Sequence, residues 1–505
     1  MPYQPFSIEV NLSLPEIGKG DTLIIPIYAT DNGDSQFQSE IELPDRFLQL
    51  IGESRALFQE ELQSLGFKPA YKKSAVFTHW PINFARVILV GLGNRKAINP
   101  SRFMEALRSG LSNLSGNAGR LILDASNWIG EEASAVIAAS AAVSYHLYRS
   151  REYEKDRPEF ESLYIAGIEP GNKKPSAVTL ATAMNAAAAR AKDLVNMPPN
   201  TKRTETLAAE ARSLAERSDL EISIVEDRSW IEENMPCFFT VARGSVDFDP
   251  PRWIHLKLPN QGAKKRIALV GKSVIFDTGG IQVKPGNYMN TMKADMTGGA
   301  TVLGVIDTIK SLNLQNLEIH TFLAATPNLV NEAAMLPDSI VNTTCGKKVE
   351  IRHTDAEGRL TLIDAVAMAE RTEPDLMITV ATLTGSASRA VGPNTALMSL
   401  HHEYRDRLAA AGYRAADYCQ TLDILEEDFE DIASKLDGAD INNTGSESYR
   451  GAQTAAAFVM SGVSRDLPVL HLDIAGGDMS KDDKATGIAC RSILQFLSDL
   501  NESLT

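Results

Sequence analysis

The sequence predicts an α/β protein of two domains, each a mostly parallel or mixed sheet flanked by helices. Three observations carry that prediction. Short runs rich in Ile, Leu and Val alternate with Ala-rich stretches of helical composition. A break, Glu169-Pro170-Gly171-Asn172-Lys173-Lys174-Pro175, interrupts the alternation after the first third. The chain, at 505 residues, also exceeds the size at which a single hydrophobic core stops growing.

The elements follow in order. Residues 21–28, 86–91 and 119–125 read as strands buried on both faces, because their apolar runs barely alternate with polar residues. Residues 100–114 and 130–147 read as helices; in the second, Ala133, Val136, Ile137, Val143 and Leu147 recur near helical spacing. This is a βαβ pattern, hence a parallel or mixed sheet. A further strand over 162–168 leads to the break. The Ala-rich stretch 177–194 then reads as a helix stopped before Pro198-Pro199, since proline lacks the N–H a helix needs. We therefore expect an N-terminal domain over 1–172 and a C-terminal domain over 173–505, with a linker helix at 173–195. Expected strands of the second domain are 267–276, 318–325, 376–383 and 469–474; expected helices are 299–311, 361–371 and 452–463.

Composition excludes some functions. Net charge is −15 with no long basic block, which disfavours nucleic acid or an anionic membrane as partner. No apolar run approaches the roughly 20 residues that span a bilayer, and the first residues lack the basic and apolar regions of a secretory signal. The four cysteines, Cys237, Cys345, Cys419 and Cys490, form no Cys-x-x-Cys pair and suggest a reducing compartment. A cytoplasmic protein is expected.

Several familiar motifs fail. Gly271-Lys272-Ser273 ends like a phosphate loop, but Arg266 stands where that loop needs glycine, and Lys272 lies within a strand-like run. Gly91-Leu92-Gly93 begins like a dinucleotide fingerprint, but Lys96 occupies the third glycine position. No Gly-x-Ser-x-Gly or His-Glu-x-x-His is present. His401-His402 reads as an exposed loop pair, and His471 as a hydrogen-bonded core histidine.

What remains is a set of carboxylates and lysines among glycines and apolar residues. One stretch runs Val270-Gly271-Lys272-Ser273-Val274-Ile275-Phe276-Asp277-Thr278-Gly279-Gly280, followed by Lys284 and by Met292-Lys293-Ala294-Asp295. The other is Thr354-Asp355-Ala356-Glu357-Gly358-Arg359-Leu360. Hard oxygen ligands suit hard or borderline dications, and two metals about 3.5–4 Å apart can clamp both the attacking and leaving oxygens of a hydrolysis. Alone, each residue has an ordinary reading: Asp277, Asp295 and Asp355 as turn or capping residues, Lys272 as solvated, Arg359 as an ion-pairing surface residue. Their joint spacing points to metal-assisted hydrolysis. The expected ligands fall at or after strand ends, where open α/β sheets build their sites.

On these motifs, with Leu194-Val195-Asn196-x-Pro198, Ala381-Thr382-Leu383-Thr384-Gly385 and His471-Leu472-Asp473-Ile474-Ala475-Gly476, the sequence resembles the cytosolic leucyl aminopeptidase family, the hexameric two-metal type. The likeness covers about residues 180–495; the N-terminal third matches only in its general α/β pattern. It implies a C-terminal catalytic domain of the leucyl aminopeptidase type and a metal-dependent exopeptidase acting on peptides. It further implies two divalent ions, Zn or Mn with Mg or Co as further options, and a homo-hexamer. Asp277 and Glu357 would bridge the metals, Lys272 and Asp295 would complete one site, and Asp355 the other. As a ligand Lys272 must be neutral, which requires a large fall from about 10.4. Lys284 would stabilise the oxyanion. Arg359 cannot serve as a base near neutral pH and would hold a bicarbonate that shuttles a proton. Leu383 would offer a carbonyl to substrate, Met292 and Thr382 would line the pocket for the first side chain, and His353 would face the second.

The sequence departs from the family pattern at His353, where Asn is usual, and at Ser273, where Gly is usual. The loops 325–332, 337–339 and 443–451 also differ. None of these removes an implied ligand, so leucine preference is open while hydrolysis is not. Two rivals stay in view: a narrow dipeptidase, for instance on Cys-Gly, and a catalytically silent structural or DNA-associated relative. The intact ligand set argues against silence, and the negative charge gives DNA binding no support. Asp364 and Asp473 read as structural hydrogen-bonding residues.

Overall fold

A computed structural model of the chain describes residues 7–11, 13–18, 20–29, 41, 43–78, 86–112, 114, 119–125, 161–167 and 176–505. The chain forms two compact units, residues 1–185 with 414–416, and 186–413 with 417–505.

In the first unit, β1 (Ser7–Asn11), β2 (Thr22–Ala29), β3 (Ser74–Phe77), β4 (Arg86–Asn94), β5 (Arg120–Asp124) and β6 (Ser162–Ala166) form one sheet in the order β1-β6-β5-β2-β4-β3. All pairs are parallel except β3 with β4. Alternate residues of β2, Leu23, Ile25 and Ile27, pack with Phe47, Phe58 and Phe77 on one side of the sheet. Helix Pro100–Leu111 starts with proline at its first position and with Asn99 Oδ1 accepting the Arg102 N–H at 3.0 Å, a regular N-cap. The strands expected at 21–28, 86–91, 119–125 and 162–168 and the helix at 100–114 are present within a few residues. The helix expected at 130–147 and the break at 169–175 lie outside the described residues.

The second unit is built on an eight-stranded sheet in the order β15-β14-β17-β13-β9-β10-β8-β7. Its strands are β7 (Glu221–Val225), β8 (Arg252–Leu258), β9 (Lys265–Asp277), β10 (Leu317–Asn328), β13 (Leu376–Ala381), β14 (Thr395–Met398), β15 (Cys419–Thr421) and β17 (Val469–Asp473). A small second sheet joins β11 (Ile340–Asn342), β12 (Lys348–Glu350) and β16 (Ile441–Asn442). The central strands β17, β13, β9 and β10 are mutually parallel, so their carboxyl ends share one edge. That edge carries Asp277, Asn328, Ala381 and Asp473.

Both faces of the sheet are covered. Ala268 and Val270 of β9 join the core formed with helices Pro236–Ala242, Glu357–Glu370 and Gly451–Met460. On the other face, helix Thr297–Ile309 presses against β9 and β13. A Cβ on Gly271 would lie 2.6 Å from Gly298 O, and one on Gly298 would lie 2.0 Å from Val380 O, so only glycine permits this approach. All four cysteines are free thiols. Among the described residues, no helix is long and apolar enough to cross a membrane.

Candidate metal centre

The site grows from the end of β9. Lys272 shares the parity of Ala268 and Val270, which turns its side chain to the face covered by helix Glu357–Glu370. Gly358 in that helix makes room for it: a Cβ there would lie 2.4 Å from Lys272 Cε. The buried Lys272 Nζ donates to Asp295 Oδ1 at 2.6 Å and to the Thr382 carbonyl at 2.7 Å, and lies 3.0 Å from Glu357 Oε1.

Asp277 closes the strand. Its Oδ1 accepts the Gly279 N–H and Asn328 Nδ2, both at 2.8 Å, which leaves Oδ2 for Lys284 Nζ at 2.7 Å. Gly279 and Gly280 have φ of +88° and +69°, a left-handed turn open to glycine. The turn doubles the chain back, with Lys284 N–H donating to Thr278 O at 2.9 Å. Lys284 Nζ thus also reaches Asp355 Oδ1 at 2.5 Å.

The second loop is fixed from beneath. Thr354 N–H donates to Gln282 Oε1 at 2.7 Å and its hydroxyl to Gly279 O at 2.6 Å, while Asn328 Nδ2 also reaches Thr354 O at 3.1 Å. Asp355 follows, and Glu357 is the first residue of its helix. One carboxylate oxygen from each of Asp277, Asp355 and Glu357 lies within 4.8 Å of the others. Asp295 arrives on a tight turn, Met292–Ala294, and accepts the Thr382 hydroxyl on Oδ1 at 2.9 Å. Its Oδ2 and Glu357 Oε2 are buried and accept no hydrogen bond. Buried carboxylate oxygens without donors are costly unless a cation answers them. The donor set is therefore one that hard or borderline dications fit.

Electrostatics agree. Fully ionised, Asp277, Asp295, Asp355 and Glu357 would set four negative charges against two lysines, an excess of two within a mostly buried cluster, and burial accordingly holds the Asp295 carboxyl well above the usual carboxylate range. Burial works against the Lys272 ammonium, but Asp295, Glu357 and Asp277 outweigh it and raise its pKa. Lys284 is raised likewise, burial being overcome chiefly by Asp277 and Glu357. This is the opposite direction to the fall that a neutral amine ligand needs. Here the ammonium groups supply the positive charge that the carboxylates demand. Burial, then Asp277, pushes Asp355 up to about 7 against the pull of Lys284.

Arg359 stands apart. Its side chain is nearly buried, and its Nε and Nη1 have no hydrogen-bond partner. Burial lowers its pKa to about 10 against Glu357 and Asp473, so it remains a cation at neutral pH. A buried guanidinium with unspent donors fits a small oxyanion.

The remaining expectations land as follows. Thr382 spends its hydroxyl on Asp295 and its carbonyl on Lys272, so it braces the cluster as well as bordering it. Leu383 N–H donates to Asp473 Oδ1 at 3.1 Å. Met292 is half-buried, and the exposed His353 accepts the Asp355 N–H on Nδ1 at 3.1 Å. Asp473 also accepts Thr384 Oγ1 at 2.8 Å, and Asp364 accepts the N–H groups of Cys237, Phe238 and Thr344, both in structural roles. His471 is buried with Nδ1 2.7 Å from Thr379 Oγ1. Asn328 and Gly358, which hold Asp277 and admit Lys272, went unassigned in the sequence. The signal for Asn328 is an amide closing a largely apolar strand-like run.

An open, largely parallel sheet with carboxylates and amines gathered at the strands' carboxyl edge is the layout of a metallohydrolase. Comparison with known proteins narrows that class. The model of the cytosol aminopeptidase family's catalytic domain (Peptidase M17) matches residues 189–494, and that of its N-terminal domain matches residues 40–157. A probable cytosol aminopeptidase of Aquifex aeolicus is 31% identical over 431 residues, 83% of this chain and 85% of that one. Another, of Thermosynechococcus vestitus, is 32% identical over 503 residues, 95% of this chain and 97% of that one. Among solved structures, a mutant of tomato leucine aminopeptidase matches with a TM-score of 0.84 at 27% identity, covering 99% of this chain and 97% of that one. The bottromycin maturation enzyme BotP in complex with Mn matches with a TM-score of 0.78 at 27% identity, covering 95% of this chain and 100% of that one. The chain belongs to the cytosol aminopeptidase family. It is a metalloaminopeptidase, a hydrolase that removes residues from the N-termini of peptides with divalent metal. The family match over residues 40–157 also reaches into the N-terminal third, where motifs alone gave only a general pattern.

Proposed function

We propose that Asp277 and Glu357 would serve both of two divalent ions, that Lys272 and Asp295 would complete the ligands of one, and that Asp355 would complete those of the other with its side chain and carbonyl. The observation that carries this reading is the approach of Asp277, Asp355 and Glu357 oxygens to within 4.8 Å of one another between two lysines. With Lys272 neutral, four carboxylates balance two dications. Mn and Zn are the metals of choice; Mn accompanies the related BotP structure. When bound, the metals supply Lewis acidity and a water acidic enough to ionise near neutral pH.

The chain's own residues do the rest. Lys284, oriented by Asp277 and Asp355, places a fixed ammonium where the peptide oxygen gains charge as the carbonyl becomes tetrahedral. Arg359, with two unspent buried donors, would hold a bicarbonate, which would supply a proton shuttle for the water. Leu383 offers its carbonyl to the substrate backbone. Met292 and Thr382 border the first side-chain pocket and His353 the second.

We keep the division that the sequence suggests, domains over 1–172 and 173–505, with helix Ala177–Asn196 as the linker. The protein acts as a homo-hexamer in the cytoplasm; the relatives' names as cytosol aminopeptidases support the location. A panel of leucyl-, methionyl- and alanyl-peptides with Cys-Gly, assayed with Mn²⁺ or Zn²⁺, tests this reading. Cleavage of several peptides supports a general aminopeptidase, cleavage of Cys-Gly alone a narrow dipeptidase, and cleavage of none overturns both.

A further inference from the structure

Lys202 lies outside the carboxylate cluster, yet it is fully buried. Its Nζ donates to three main-chain carbonyls, Leu194 at 3.2 Å, Val195 at 3.0 Å and Lys293 at 2.6 Å. An ammonium has three protons and no acceptor, so three carbonyls satisfy it completely. Among the described residues no carboxylate pairs with it, and burial, with Lys293 nearby, lowers its pKa to about 7. The amino group is held here by main-chain carbonyls.

The three carbonyls come from two places that matter. Leu194 and Val195 lie in the last turn of helix Ala177–Asn196, where carbonyls lack helical partners and the helix dipole favours a cation. Lys293 lies in the turn Met292–Ala294, whose next residue is Asp295. That turn closes its own ring, Ala294 N–H donating to Thr291 O at 2.8 Å and Asp295 N–H to Met292 O at 3.2 Å, but its place against the sheet has to be set from outside. It begins at Thr291 with φ +67°, a left-handed conformation that a β-branched residue adopts only where its surroundings impose it. A second tether runs the same way, Lys293 Nζ donating to Asn196 O at 3.3 Å. Lys202 itself is set by a turn, its N–H donating to Pro198 O at 3.0 Å.

We infer that Lys202 is a positioning residue that pins the Met292–Ala294 turn to the end of helix Ala177–Asn196 and so fixes Asp295 against Lys272. It touches neither substrate nor metal. This rests on the ligand assignment proposed above, in which Asp295 and Lys272 serve one of the two metals. Asp355 and Asp277 reach the other through different loops, so the effect falls on one site.

Lys202→Met keeps the aliphatic stem and removes the donors. Titration of the metal-free full-length protein with Mn²⁺ should show one site weakened about 10–100-fold and the other unchanged, the range for residues that orient a ligand. Hydrogen exchange at the Ala294 and Asp295 amides should accelerate, while that at Gly279 should not. Lys202→Gln, which keeps a shorter neutral donor, should fall between. Two unchanged Mn²⁺ affinities in Lys202→Met would overturn the proposal, as would equal weakening of both sites with a lowered Tm, the signature of general loosening. If Lys202→Met does not fold, Lys202→Gln decides by the same readouts; if neither folds, Lys202 is a core staple and the proposal fails. Asp295→Ala, run in parallel, separates the levels. Retention of both ions there overturns the ligand assignment itself, whereas loss of one ion there with both Mn²⁺ affinities unchanged in Lys202→Met overturns only the role of Lys202.

Discussion

Gly358→Ala tests whether the placement of Lys272 matters, because it adds one methyl group beside a pinned side chain. The new Cβ would stand 2.4 Å from Lys272 Cε, 2.7 Å from Nζ and 2.9 Å from Cδ. Restoring an ordinary contact of 3.4 Å at Cε requires a displacement of 1.0 Å, the difference between 3.4 and 2.4. The end of a lysine normally yields at little cost. This one is held by Asp295, Glu357 and the Thr382 carbonyl, so it cannot yield without stretching those contacts. Overpacking of this kind costs about 1–3 kcal/mol, while alanine in place of glycine in a helix returns up to about 1 kcal/mol. The net loss of stability is therefore modest, about 0–3 kcal/mol. Turnover should fall much further, since a misplacement of about 1 Å costs on the order of 10²-fold. The assay pairs thermal unfolding with kcat and metal content. Gly304→Ala, whose Cβ would lie 2.4 Å from Ala187 O in a helix away from the cluster, is the control that loses stability but keeps its metals. A Gly358→Ala enzyme with normal kcat and normal metal content would refute the reasoning.

Other perturbations separate the roles. Asp277→Ala should lose bound metal, measured by elemental analysis after dialysis; unchanged stoichiometry removes it from the ligand set. Lys284→Met should keep both metals yet lose about 10²–10³ in kcat, the usual effect of deleting one oxyanion donor; normal turnover removes that role. Asn328→Ala deletes the amide that joins Asp277 to Thr354 and should weaken metal binding about 10–100-fold, read by chelator competition. Stability should also depend on pH through His255, whose pKa burial, then His320 and Lys257, lowers to about 4. The unfolded state then binds more protons than the folded one between about pH 4 and 6.5, so stability rises with pH across that window. Denaturation of His255→Phe at several pH values should show a shallower rise, and an unaltered slope counts against it.

The sequence announced the core of the second domain because its central strands are parallel and buried on both faces. β9, β10, β13 and β17 read as largely apolar runs for that reason. The antiparallel strands β7 and β8 were not anticipated, since runs such as Arg252–Leu258 mix Arg, His and Lys with apolar residues. Helix starts were placed late for a chemical reason. Gly298-Gly299 and Glu357-Gly358 look like breaks, but those glycines let the helices press against β9 and Lys272. The ligand motifs stood out because acids among glycines and apolar residues are unusual. Lys202 did not, because nothing local marks a polar residue whose partners are distant main-chain groups. The opposed direction of the Lys272 pKa also lay beyond the sequence, because it depends on three carboxylates that folding brings together.

The most direct test of a two-metal centre is anomalous diffraction from crystals soaked in Mn²⁺, recorded on both sides of the manganese absorption edge. Two peaks about 3.5–4 Å apart, flanked by Asp277 and Glu357, are the predicted result. A single peak, or none between those carboxylates, would contradict it.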